Sequence, residues 1–196
     1  MPLNQSITTW LALNACNDTS ESGVTDPVTG QTMFIPDLYA GDYFDLTEAE
    51  ANALSYTTNG TLHAGRYRRV QVDSGATAAN VKVGTVGNMN CAIAPLTFNI
   101  VTSADVNTAW NGLHPVVFLN TVTPGNWCFV QELGLATVLG AANVGTTTVG
   151  QIEVVTTGGV VTSSATFTVA TVGLSVENSQ NSKLFKVIMD VPAVQG

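Results

Sequence analysis

From Gly65 onward apolar side chains recur at every second position, whereas the first 36 residues keep neither a period of 2 nor one of 3.6. Val70 and Val72 point to one side of a strand, with Arg69, Gln71 and Asp73 on the other. Ser74-Gly75 turns the chain, and Val81 and Val83 resume an apolar face around Lys82, which predicts a hairpin; Gly84 and Gly87 mark bulges or close backbone approach. Val116-Val117-Phe118-Leu119 is a short buried run. Thr123-Pro124-Gly125-Asn126 then makes a type II turn into a strand at Trp127 to Gln131. Further strands are expected at Leu135 to Leu139, Val149 to Val155, Val161 to Thr171 and Leu184 to Val191, with Thr157-Gly158-Gly159 as a hairpin turn. The alternation is cleanest late in the chain. Val161, Ala165, Phe167 and Val169 oppose Thr162, Ser164, Thr166 and Thr168, and Phe185, Val187, Met189 and Val191 oppose Lys186 and Asp190. With no crossover helices between them, these strands imply a mainly β fold, an antiparallel β-barrel or sandwich.

The first third reads differently. One short helix is expected over residues 47–54, where Thr47 caps the first turn and Glu50 stands at the N3 position of a capping box, with Glu48 also in that turn. Before it, apolar pieces (Ile7, Trp10, Leu11, Leu13, then Met33, Phe34, Ile35) are separated by a polar, turn-rich stretch from Asn17 to Gln31. Structureless stretches longer than about 12 to 15 residues are uncommon inside a compact domain. The reading is therefore an acidic N-terminal arm or subdomain over 1–60 and a β body over 61–196. Trp10, Leu11, Leu13, Phe34 and Ile35 are its candidate assembly contacts, because an aromatic side chain with little core of its own suits an intersubunit pocket. Trp10 folding back on its own body is the alternative.

Charge sharpens this division. All eight acids of residues 1–60 (Asp18, Glu21, Asp26, Asp37, Asp42, Asp45, Glu48, Glu50) stand without a Lys or Arg, while the remainder balances six acids against six bases, so the net charge of −8 resides in the first third. A pI near 4.4 argues against wrapping of duplex DNA, whose affinity depends on cations at the phosphates. Arg66, Arg68 and Arg69 form the one basic cluster, either a solvated strand face or the partner of an acidic segment. With 45% hydrophobic but 10% charged residues, against about 25% charged in an average protein, Thr, Ser, Asn and Gln must cover the surface. That suits lasting contact with other protein, or a secreted β domain. Cys16, Cys91 and Cys128 are odd in number, far apart and set among apolar or small residues, which favours buried thiols in a reducing compartment. No positive charge precedes the short apolar run ending at Cys16, so no signal peptide is expected, and no stretch reaches the length of a membrane helix.

Reactive chemistry finds little support. His63 and His114 are the two histidine bases, and no G-x-S-x-G accompanies them. Asp37, Asp42, Asp45, Glu48 and Glu50 cluster without the spacing of a calcium loop, and helix capping already accounts for the two glutamates. Glycine-rich phosphate loops are absent. Trp127 is expected in the core; Trp110 carries no assignment. The expectation is a non-enzymatic protein with no catalytic, metal or cofactor residues.

The segments Gly65-Arg66-Tyr67-Arg68-Arg69-Val70-Gln71-Val72 through Gly84, His114-Pro115-Val116-Val117-Phe118-Leu119-Asn120 and Thr123-Pro124-Gly125-Asn126-Trp127-Cys128-Phe129-Val130-Gln131-Glu132-Leu133-Gly134 resemble small virion proteins of tailed bacteriophages, the capsid decoration or cement proteins. Pro124 to Thr137 is similar to the barrel hairpin of that class. The resemblance, over roughly residues 60 to 140, implies a structural protein made in the host cytoplasm. It would bind the major capsid protein on the outer surface of an icosahedral shell, often as a homotrimer, and stabilise that shell. No nucleic acid, membrane or cofactor enters this expectation. A phage fibre or receptor-binding β module is the first alternative, and a glycan hydrolase using acids such as Asp42 and Glu50 the second.

Overall fold

The computed structural model describes residues 17–25, 31–34, 39–54, 62–89, 100–103, 114–145, 148–166, 168 and 171–189. Five strands pair in a ring. β4 (Gly65–Val72) runs antiparallel to β8 (Trp127–Leu139), β8 to β7 (Pro115–Phe118), β7 to β5 (Val86–Met89) and β5 to β6 (Ile100–Ser103), and β6 returns parallel to β4. Past β8 the sheet continues open and antiparallel through β12 (Leu184–Ile188), β11 (Thr171–Ser175), β9 (Ile152–Val155) and β10 (Val161–Ser164). On the other flank β3 (Tyr43–Leu46) pairs with β4, followed by the helix α1 (Glu48–Leu54). β1 (Gly23–Thr25) and β2 (Thr32–Phe34) form a separate two-stranded sheet. The fold is thus mainly β and antiparallel, as the periodicity implies, with one short helix among the described residues; among the described strands β4 with β6 is the parallel pair.

Two cores explain the pattern of burial. Val116 and Phe118 of β7 join Val70, Val72, Cys128 and Val130 in the first. Val117, between them, turns the other way and packs with Val86, Ala136, Val138, Val155, Val172, Phe185 and Val187 in the second. A strand with apolar neighbours on both faces must read as an unbroken apolar run, which is why Val116 to Phe118 shows no alternation. Each such side chain, fully withdrawn from water, contributes about 1.5–3 kcal/mol. The capping box forms as expected: the Thr47 N–H and hydroxyl both donate to the Glu50 carboxylate at 2.8 Å, and the Glu50 N–H donates to the Thr47 hydroxyl at 3.3 Å.

Four boundaries differ from the sequence reading, one being the strand expected from Val149, which begins at Ile152 after a turn at Val149 and Gly150. The expected hairpin after Val72 does not form. Residues Ala78–Asn80 make a 3-10 turn, the Thr85 hydroxyl accepts from the Lys82 N–H and donates to the Lys82 carbonyl, and Val81 drops into the first core. The region expected as one strand from Val161 to Thr171 is two, β10 and β11, with Ala165 exposed between them; Phe167 and Val169 lie outside the described residues, as do Asp190 and Val191. Conversely, the two strands expected on either side of Gly134 are one strand of 13 residues.

Gly134 is the reason that strand serves two sheets. Its φ is +92°, and a Cβ there would stand 2.4 Å from the Ala64 carbonyl oxygen. Residues before it pair with β4 and β7, and Leu135 to Leu139 pair with β12. We predict that Gly134→Ala destabilises the protein by on the order of 3 kcal/mol, from left-handed strain plus a backbone clash. Urea denaturation checks this; an unchanged midpoint would mean the crossing tolerates a side chain.

Candidate functional site

β4 carries the three arginines, and each meets an acid. Arg66 forms a bidentate pair with Asp45 at 2.8 and 3.1 Å, its guanidinium carbon 4.4 Å from the Tyr43 ring centroid. Arg68 pairs with both carboxylate oxygens of Glu132 at 2.5 and 3.0 Å and donates to the Gly41 carbonyl at 2.7 Å. Arg69 is 0% exposed. Its Nη1 and Nη2 donate to one Asp18 carboxylate oxygen at 3.2 and 3.3 Å, Nη2 reaches the Ser20, Glu21 and Gly23 carbonyls, and Nε donates to the Glu21 carbonyl. Phe129, its cross-strand partner, lies under the guanidinium at 5.1 Å from the ring centroid.

This one residue therefore clamps residues 18–23 to the body, and its main chain holds a second segment. The Gly41 N–H donates to the Arg69 carbonyl, and the Arg69 N–H donates to the Asp42 carbonyl. Two backbone bonds between Asp18 and Trp127, and the Asn17 side chain bonded to the Thr123 N–H and the Asn126 amide, complete the attachment. Of the two readings of the arginine cluster, partner of an acidic segment is the one observed. The remaining described acids of the first 60 residues bind backbone or local groups: Glu21 accepts from the Ala40 N–H, Asp42 from the Tyr39 N–H, and Glu48 from the Ala64 N–H.

The other candidate residues are scattered. His63 is buried, with its Nε2 3.3 Å from the Thr137 hydroxyl and its backbone carbonyl accepting from the Tyr67 hydroxyl at 2.6 Å. Burial and the charge of Lys186 push its pKa down. His114 lies apart from it, its ring nitrogen 3.5 Å from Glu132. Asp42, Asp45, Glu48 and Glu50 make the local contacts already given, Asp37 lies outside the described residues, and among those described no three potential metal ligands converge. Trp127, expected in the core, is half-buried at the rim where Asp18 pairs with it. Cys128 is buried; Cys16, Cys91 and Trp110 lie outside the described residues. Among the described residues no helix is long and apolar enough to cross a membrane.

Of the candidate assembly contacts, Phe34 stands on β2 and is 72% exposed, whereas Trp10, Leu11, Leu13 and Ile35 lie outside the described residues. Phe34 has company that residue type alone did not reveal. The large exposed hydrophobics of the described residues fall into two groups, Phe34, Tyr39 and Tyr43 beside the Arg69 clamp and Val176, Leu184 and Ile188 on the open sheet, with Val149 in the turn before β9. Sequence alternation does mark Leu184 and Ile188, since they share the outward parity of Lys186.

No protein-family model and no curated protein matches this chain. Among solved structures it is similar to the N base of the head fiber gp8.5 of bacteriophage phi29, at 15% identity and a TM-score of 0.44, over 63% of this chain and 92% of that one. A likeness of that size assigns neither family nor role.

Two predictions follow from the ion pairs. Arg69→Met leaves the Asp18 carboxylate buried without its cation, a loss of about 3–5 kcal/mol, and should open residues 17–25 to limited proteolysis; a variant as stable and resistant as the wild type would show that the clamp does not hold the segment. At Glu132 burial pushes the carboxyl up, but the His114 ring 3.5 Å away and the bidentate Arg68 guanidinium outweigh it and hold the pKa at about 2. Its folded pKa is thus below its unfolded one, so its contribution, on the order of 3 kcal/mol, is present above pH 4.5 and lost as pH falls towards 2. Glu153, buried in β9 with Ser179 and Ser163 on one oxygen, has the opposite sign: burial raises its pKa, so its contribution is present at acid pH and fades as pH rises. Stability measured against pH should lose its acid limb in Glu132→Gln, and Glu153→Gln should gain stability relative to the wild type at neutral pH. Parallel curves for all three proteins would refute both assignments.

Proposed function

We propose that this chain is a structural virion protein of a tailed bacteriophage, a decoration or cement protein that binds the major capsid protein on the outer surface of an icosahedral shell, self-associates there and stabilises the shell. The observation that carries this reading is the placement of exposed apolar side chains on ordered strands: Phe34 on β2, Tyr43 on β3, Leu184 and Ile188 on β12. Apolar side chains grouped on a rigid surface mark protein contact sites. The polar clusters beside them are engaged in tying one segment to another: Arg69 with residues 18–23, Arg68 with Glu132 and Gly41, Tyr67 with His63. The three segments whose residues resemble decoration proteins supply β4, β7 and β8, so the resemblance falls on the scaffold that holds both apolar groups in place.

The reading sets a copy number. A protein that covers a shell lattice is present at on the order of hundreds of copies per particle, whereas a fibre or receptor-binding module occupies few positions. Quantitative mass spectrometry of purified DNA-filled particles should find the protein in lattice amounts. Its absence, or a handful of copies, would end the cement reading; low copy number together with glycan binding would support the receptor-binding alternative instead.

A further inference from the structure

We infer that the two exposed apolar groups are the two halves of one heterologous contact, so that the Phe34–Tyr39–Tyr43 corner of one copy seats on the outer face of the open sheet of the next. The sheet face is the better defined half. Leu135, Ile188, Leu174 and Ile152 are cross-strand neighbours on β8, β12, β11 and β9, and Leu139 and Leu184 form a second pair along the same face. Thr137 and Lys186 stand between these rows. Ile188 and Leu184 are 41% and 40% exposed, whereas Phe185 and Val187, which alternate with them, are buried in the second core. Val176 joins this surface through its N–H bond to the Lys186 carbonyl.

The opposing corner is held together by the clamp. Phe34 pairs with Gly23, whose carbonyl accepts from Arg69; Glu21 accepts from the N–H that follows Tyr39; and Asp42, bonded to the Tyr39 N–H, precedes Tyr43. The charges of the two halves are complementary. Glu21 and Asp42 stand at the aromatic corner with no cation paired to them among the described residues, Asp45 and Arg66 cancel, and the sheet side carries Lys183 and Lys186 with Glu177 and, beside His63, Glu48. Among the described residues neither lysine makes an ion pair within its own chain. The unpaired lysines of one half and the unpaired carboxylates of the other have opposite sign, which favours seating corner on sheet over corner on corner. Different patches on the two sides make the contact heterologous, so it builds rings or filaments rather than face-to-face pairs.

The inference deepens the self-association in the proposed function, and its test needs only the purified full-length chain. Sedimentation velocity should show the wild type larger than a monomer, and both Phe34→Ser/Tyr39→Ser and Leu184→Asp/Ile188→Asp as monomers. An equimolar mixture of the two variants retains one intact junction, so it should give a species of two chains and nothing larger. A monomeric wild type, a mixture that stays monomeric, or loss of assembly in the sheet variant alone would overturn the inference; the last would indicate an isologous sheet-to-sheet pair. Circular dichroism and the unfolding midpoint verify that the variants fold, and Leu184→Ser/Ile188→Ser replaces the Asp variant should it not. Assembly in solution without incorporation into particles would count against the capsid role alone, and incorporation as a monomer against this inference alone.

Discussion

A single guanidinium fixes residues 18–23 onto the rest of the chain. Arg69 is withdrawn from water on β4, and such a group is tolerated only if its five N–H donors and its charge are met. The chain meets them with one carboxylate, Asp18, and three carbonyls from Ser20, Glu21 and Gly23, at hydrogen-bond distances of 3.1 to 3.3 Å. Residues 18–23 are thereby fixed in backbone detail by an interaction that costs several kcal/mol if either side leaves. β1 begins at Gly23, its partner β2 carries Phe34, and Glu21 reaches across to Ala40, so this ion pair places Phe34 and the backbone beside Tyr39, while the β3–β4 ladder places Tyr43.

The second constraint is topological. β8 is long enough to wall the ring with its first half and to start the open sheet with its second, and β7 presents Val116 and Phe118 to one core and Val117 to the other. The two cores therefore share strands. The surface bearing Leu184 and Ile188 is consequently anchored to the ring that carries the clamp, with β8 as the common member.

How much of this was legible in the chain depends on the range of the interaction. Local signals read correctly: the Thr47–Glu50 capping box, the Thr157 to Gly159 turn between β9 and β10, and the inward parity of Phe185, Val187 and Met189 all involve residues a few positions apart. The ring was not legible, because its closure pairs Gln71 with Ile100 in parallel, and no alternation pattern specifies which strands meet. The continuity of β8 from Trp127 to Leu139 was not legible either, because glycine ordinarily interrupts a strand, whereas Gly134 lets this one pass close to Ala64 without a side chain in the way. The charge split was visible but not its use. Runs of acid without base suggest an external basic partner, yet Glu21, Asp42, Glu48 and Glu50 accept from backbone N–H groups, which carry no signature in a count of Lys and Arg. Of the candidate assembly contacts, Phe34 could be recognised as an aromatic in a polar setting; Tyr39 and Tyr43 could not, since their exposure follows from how residues 39–42 bend around Arg69.

Strands offer two ways to bind a partner, by edge or by face, and the open sheet has closed the first. β10 is its terminal strand, and its free side is occupied by the chain's own residues: the Ala141 N–H donates to the Val161 carbonyl, the Ser163 N–H donates to the Val144 carbonyl, and Gly140 bridges Val161. An edge so covered neither templates an added strand nor recruits one from another chain. The face is different. Its backbone groups are already satisfied within the sheet, so a partner gains from it only by covering Leu135, Leu139, Leu174, Leu184 and Ile188. Recognition there must come from side-chain shape, from Lys186 between the apolar rows and from Lys183 just before Leu184, which permits a specific neighbour without the open-ended strand addition that drives sheet proteins to aggregate.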